Sequence, residues 1–183
     1  DPSVYQLFRT SVLPMLFAEK ARRRQRIVRL WSAGCATGQE PYSLAMSVLD
    51  EMSRTHAEMV PSITGTDIDR QALAVAKAGQ FPVEQLSHIP SADRHRFVEV
   101  TGDRFHFRPE ITKIVRFQYL NLFADPPLRG VDVVFCRNVF IYFNRDEQER
   151  VLEVFWESLA RGGFLVLGRS ERLLPSLTSR LEL

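Results

Sequence analysis

From Ile27 to Ser43 the chain reads IVRLWSAGCATGQEPYS, an apolar run that breaks into small residues with two glycines and then restarts as a helix. Such a break lets main chain pass close to a nucleotide-like ligand at the carboxyl end of a buried strand. Fold and function are therefore both sought at the rim of a sheet.

The flanking sequence extends this unit into an α/β pattern. Thr10 to Arg26 predicts a helix with Val12, Leu13, Leu16 and Phe17 on one face and arginines at its carboxyl end, where the macrodipole favours cations. Ile27 to Ser32 predicts a buried strand, and Pro41 is expected to open a helix reaching about Met52. Ser62 to Thr66 reads as a second strand, with Asp69 capping a helix to about Ala78. Two strand–helix units in succession argue for a parallel sheet with right-handed crossovers. Phe97 to Thr101 and Arg104 to Arg108 alternate around Gly102-Asp103 as a hairpin would, so residues 91–117 read as an antiparallel insertion. Ile114 to Leu120, Val131 to Cys136 and Gly163 to Gly168 predict further strands, and Asp146 to Ala160 an amphipathic helix.

With 183 residues, 45% of them hydrophobic and 25% charged, the chain fits one soluble domain with a real core. No apolar segment is long and uninterrupted enough to cross a bilayer. The amino end lacks the basic-then-apolar layout of a secretory signal, so a cytoplasmic protein with no membrane insertion is expected. Cys35 and Cys136 have neither disulfide nor metal-ligand spacing; both read as packing residues, and no metal is expected. A net charge of +2 argues against nucleic acid as a partner, although arginines cluster from Arg22 to Arg26. The chain starts at Asp1 without a methionine and reads as part of something longer.

Ligands of open α/β sheets sit beyond the carboxyl ends of the strands, which directs attention to Gly34 to Glu40, Asp67, Asn121 and Asn138. Gly34 and Gly38 allow close backbone approach. Asp67 is placed to accept ribose hydroxyls, as acidic residues do at that position in dinucleotide folds. The G-x-x-x-G spacing is neither the dinucleotide fingerprint nor a Walker loop. Glu40, at a helix amino end, would repel phosphate but suits a cation such as the amino group or sulfonium of S-adenosylmethionine, which is favoured over NAD or ATP. Farther along, Asn138 and Tyr142 are four residues apart, so a helical turn there would set an amide and a phenol on one face near a bound ligand.

The segments SAGCATGQEPYS, TDID, FCRNVFIYF and GGFLVLGRSE, in that order, resemble the CheR chemotaxis receptor methyltransferases. The resemblance implies a class I, Rossmann-like S-adenosylmethionine-dependent methyltransferase domain: a mostly parallel sheet with helices on both faces and a small antiparallel β-subdomain. It implies esterification of glutamates on cytoplasmic helices of methyl-accepting chemotaxis proteins, with S-adenosylhomocysteine as product. By position, Glu40 resembles the family's binder of the methionine part and Asp67 its ribose ligand. Asn121 and Leu122 fall near the adenosine, Asn138 in the cofactor site, and Tyr142 at the tyrosine facing the transferred methyl. Arg9 resembles the arginine of a Phe-Phe-Arg motif that reaches the cofactor, and Arg24 one that meets the substrate carboxylate. Ser3 and Tyr5 stand where the family has Asn-x-Thr.

Residues 1–26 then correspond to the remnant of an amino-terminal helical region and linker, and 27–183 to the methyltransferase domain. The short turn Thr101 to Arg104 suggests a member that does not depend on a receptor tether peptide. Two alternatives stay open: a sensor that binds S-adenosylmethionine or S-adenosylhomocysteine without turnover, and a nucleic-acid methyltransferase.

Overall fold

A computed structural model describes residues 2–168. The chain enters as a helical arm: α1 (Pro2–Leu7), a π-helical stretch (Phe8–Val12) and α2 (Leu13–Arg22). β1 (Ile27–Ala33), α3 (Gln39–Thr55), β2 (Val60–Asp67) and α4 (Arg70–Ala78) follow as two strand–helix units. Next come β3 (Gln80–Pro82), a 3₁₀ turn (Val83–His88), α5 (Ser91–Phe97), β4 (Val98–Thr101), β5 (Arg104–Phe107) and the short α6 (Pro109–Thr112). β6 (Val115–Tyr119), β7 (Val131–Cys136), a 3₁₀ turn (Phe140–Tyr142), α7 (Arg145–Ser158) and β8 (Leu159–Leu167) complete the described residues.

The main sheet has five strands in the order β6-β2-β1-β7-β8, every adjacent pair parallel. Parallel pairing buries both faces, and the sequence obeys: all six residues of β7 are buried. Val28, Leu30, Val133 and Phe135 join a core with α2, α3 and the small sheet, while Trp31, Ala33, Val134 and Cys136 join a second core with Val151, Leu152 and Phe155 of α7. Alternation of side chains along β1 and β7 thus feeds two cores from one pair of strands. Asp132 in β7 is buried and meets Lys20 of α2 at 2.7 Å, which ties the helical arm to the sheet. Deleting one partner of such a pair costs on the order of 3 kcal/mol or more, because the other charge stays buried.

β3, β5 and β4 form a separate antiparallel sheet in that order. Tyr42 of α3 stacks on Phe107 at 4.4 Å, with Phe81 at 5.8 Å, so the small sheet is anchored by aromatic packing onto the main domain.

Several boundaries differ from expectation. The arm is helical from Pro2 instead of Thr10, and Pro41 is the third residue of α3, after Gly38 as cap and Gln39. The antiparallel unit begins at Gln80, well before residue 91, and Phe117 belongs to the main sheet. β8 starts at Leu159, where helix was expected to run to Ala160. Asp69 caps α4 as read, accepting from the N–H groups of Gln71 and Ala72, a contribution of about 1 kcal/mol. The motif residues after Gly168 lie outside the described residues.

Candidate functional site

Because every strand of the main sheet points the same way, Ala33, Asp67, Tyr119 and Cys136 end at one edge. The loops leaving that edge surround a cavity of about 720 Å³. That is ample for a cofactor-sized ligand, since such sites run from roughly 300 to 1,000 Å³.

The loop after β1 forms the cavity floor. Gly34 and Cys35 both donate their backbone N–H to the Thr66 carbonyl, at 2.8 and 2.9 Å, which folds the loop back over β2. Gly34 has φ +72°, and a Cβ there would lie 2.4 Å from Val139 Cγ2, so only glycine fits. Gly38 (φ +94°) faces away from the cavity, where a Cβ would strike Ala76 at 2.7 Å; its role is packing against α4.

Glu40 stands in the first turn of α3 with both oxygens engaged. Ser32 Oγ donates to Oε1 at 2.8 Å, and the Tyr5 hydroxyl and Arg137 guanidinium approach Oε2, each at 3.4 Å. Burial pushes the Glu40 carboxyl above its ordinary value, opposed by its bonds from Ser32, Arg137 and Tyr5. Tyr5 is itself raised, by burial first and then by Glu40, so its hydroxyl stays a donor. The Arg137 guanidinium also lies 5.1 Å over the Tyr5 ring, and its Nε is buried without a partner. Cys35, on the same floor, is pushed up to about 12 by burial, Asp67 and Glu40, which keeps it an inert thiol.

Asp67 closes β2 on the other side. Its Oδ2 accepts from the Ala36 N–H at 2.8 Å and its Oδ1 from the Asp69 N–H at 2.9 Å. Asn121 lines the cavity with Leu122 and Phe123, its side chain accepting from the Phe123 N–H at 2.9 Å. Asn138 takes a left-handed φ of +60°, which asparagine tolerates. Tyr142, in the 3₁₀ turn beyond it, is 78% exposed at the cavity mouth.

Of the expected site residues, Gly34, Glu40, Asp67, Asn121, Leu122, Asn138 and Tyr142 line one cavity. Arg9 and Arg24 do not. Arg9 is paired with Asp93 and Asp50, each at 3.2 Å. Arg24 is exposed beyond the carboxyl end of α2, three residues before β1 begins, whereas the cavity opens where β1 ends. Seven extended residues, about 23 Å, separate the two ends. Among the described residues the cation lining the cavity is Arg137, and Tyr5, Ser32, Phe123 and Phe143 also belong to the site. Arg137 was within reach of the sequence, as the residue between a buried strand end and Asn138. Tyr5 was met only as a departure from the family's Asn-x-Thr, because the helical arm was read as starting after it.

A parallel sheet whose carboxyl edge carries a left-handed glycine turn, an acid in the next helix and an acid ending the adjacent strand defines a Rossmann-like S-adenosylmethionine-binding methyltransferase domain. The donor set fits that cofactor: Glu40 and Arg137 side by side complement an ammonium and a carboxylate, and Asp67 offers acceptors for a ribose. The chain belongs to the CheR family, since residues 1–183 match the family described as "CheR methyltransferase, SAM binding domain". It is 40% identical to a probable chemotaxis protein methyltransferase of Rhizobium etli, covering 92% of this chain and 64% of that protein. A chemotaxis protein methyltransferase of Vibrio anguillarum is 38% identical over 100% of this chain and 66% of its own length. An uncharacterized 104.1 kDa protein of Rhodobacter capsulatus is 36% identical, with 95% of this chain matching 18% of it. The chain thus spans 18%, 64% and 66% of the lengths of these three relatives, less than two thirds of each.

Proposed function

We propose that this domain transfers a methyl group from S-adenosylmethionine to glutamate side chains of chemoreceptors, forming methyl esters. The observation that carries the reading is the single cavity that brings Glu40, Arg137 and Asp67 together at the sheet edge. Glu40 and Arg137 would hold the amino-acid end of the cofactor, Asp67 the ribose, and Asn121 and Leu122 the base. When bound, the cofactor supplies an electrophilic methyl group on a positively charged sulfur.

The acceptor glutamate, with a reference pKa of about 4.3, is already ionised at neutral pH, so no residue has to remove a proton. What remains for the chain is positioning and exclusion of water. Tyr142, at the mouth, and Asn138 border the place where the acceptor enters. Arg24 has no part in this scheme. Near-neutral charge favours a protein acceptor over nucleic acid, and a cytoplasmic location suits receptor helices as partners; the short Thr101 to Arg104 turn supports independence of a tether peptide.

The test is transfer of labelled methyl from S-adenosylmethionine to receptor-rich membranes, followed by mild base. Release of the label identifies a carboxylate acceptor. Binding of S-adenosylhomocysteine without any transfer would replace this proposal with a sensor.

A further inference from the structure

Tyr142 reaches the cavity mouth from a 3₁₀ turn only three residues long, Phe140–Tyr142. Within it the Tyr142 N–H donates to the Val139 carbonyl at 3.1 Å, and the Phe143 N–H to the Phe140 carbonyl at 3.0 Å. A single turn of this kind has poor hydrogen-bond geometry and little persistence of its own. With Tyr142 78% exposed, packing around its ring does not fix it either. Something outside the turn has to hold it.

Its two ends are held differently. At the start, Asn138 takes the left-handed conformation and Val139 lies against Gly34, so backbone shape and a tight contact set the entry. At the far end stands Gln148 of α7. Its side-chain Nε2 donates to the Phe140 carbonyl and to the Phe143 carbonyl, each at 3.1 Å. An amide nitrogen carries two N–H groups, and both are spent on the carbonyls that bracket Ile141 and Tyr142. A carboxylate of the same length would only accept, and would repel both oxygens. Gln148 is in turn placed by the first turn of α7, where Asn144 and Glu147 cap each other reciprocally. Two residues on, the Arg150 guanidinium lies 5.5 Å over the ring of Phe123, which lines the cavity and meets Phe143 edge-on at 5.0 Å. The amino end of α7 therefore supports the mouth although Gln148 does not line the cavity itself.

We propose that Gln148 is a positioning residue for methyl transfer: by tying the Phe140 and Phe143 carbonyls to α7, it fixes the turn that presents Tyr142 to the acceptor carboxylate. This inference rests on the methyl-transfer reading above. Because Gln148 acts through the turn, its loss should slow turnover while the cofactor end of the cavity is untouched.

The test uses the intact protein and two replacements of similar shape, Gln148→Met, which removes both donors, and Gln148→Glu, which replaces them with acceptors. Labelled methyl transfer to receptor-rich membranes is expected to show kcat about tenfold lower in Gln148→Met and lower still in Gln148→Glu. Calorimetric affinity for S-adenosylhomocysteine stays within about twofold. In a Tyr142→Ala background, Gln148→Met adds no further loss, because the route runs through Tyr142. Protein labelled with 3-fluorotyrosine reads the turn directly: the fluorine resonance that disappears in Tyr142→Phe should shift or broaden in Gln148→Met, while those of the other three tyrosines keep their positions. Should one replacement fail to fold, the other carries the same measurements. Turnover unchanged in the folded variants overturns the proposal. So do a loss of S-adenosylhomocysteine affinity as large as the loss of kcat, which would mark a general disturbance of the cavity, and fully additive losses with Tyr142→Ala. If the unsubstituted protein transfers no methyl group, the methyl-transfer reading falls. The fluorine spectrum then judges the positioning by itself, and a Tyr142 resonance unmoved in Gln148→Met refutes it.

Discussion

Glu40 and Asp67 stand on adjoining elements at the same sheet edge, yet they are fixed by different parts of the molecule. Glu40 is held by side chains from β1, the amino-terminal arm and the end of β7, and lies largely buried. Asp67 is held by two backbone N–H groups of neighbouring loops. A carboxylate held by backbone keeps its geometry through most substitutions around it. One held by side chains inherits every change in the elements that carry them. The Glu40 end of the cavity is accordingly the adjustable end, and the Asp67 end the fixed one.

The largest expected effect tests the dependent end. Arg137→Ala leaves Glu40 without its cation and should lower unfolding free energy by about 3 kcal/mol in urea denaturation, most of it recovered by adding Glu40→Gln. A loss below about 1 kcal/mol, the range of a surface pair, would erase the contrast. Next, Asp67→Ala should raise the dissociation constant of S-adenosylhomocysteine about 100-fold, near 2.7 kcal/mol, with a stability loss of only about 1 kcal/mol from its freed N–H partners.

A smaller effect is one of pH. Well below its ordinary value of 4.5, Glu40 is protonated in folded and unfolded chains alike. As pH rises above that, the unfolded carboxyl ionises freely while the folded one ionises at a cost, so stability falls until the raised folded value is passed and then levels off. Denaturation midpoints followed upward from pH 4.5 should show this slope, and Glu40→Gln should flatten it. The smallest effect is expected at Arg24→Ala: methyl transfer to receptors within about twofold of the unsubstituted protein, equivalent to 0.4 kcal/mol. A large drop would return Arg24 to the site in spite of its place at the far end of β1.

How much of this was legible in the sequence depended on whether the cause was local. Val131 to Cys136 matched a strand residue for residue, because continuous burial in a parallel sheet leaves an unbroken apolar run. The Asp69 cap was readable because the side chain bonds to N–H groups two and three residues away. β3 was missed: three residues ending in proline form a strand only because β5 is beside them. The π-helical stretch left no periodic signal. In the site, Gly34, Glu40 and Asp67 follow strand ends and could be found by position. The pairing of Arg9 with Asp50 and Asp93 could not be read, since those partners lie 41 and 84 residues away and only the folded arm brings them together.

The contact between Gly34 and Val139 also bears on redesign. Since no Cβ fits between the loops that follow β1 and β7, the cavity floor cannot be hollowed out by substitution there. Space for a sulfonium carrying an alkyl chain bulkier than methyl would have to come from the cavity mouth, by trimming the exposed Tyr142. An engineer would leave the glycine alone and carve the mouth.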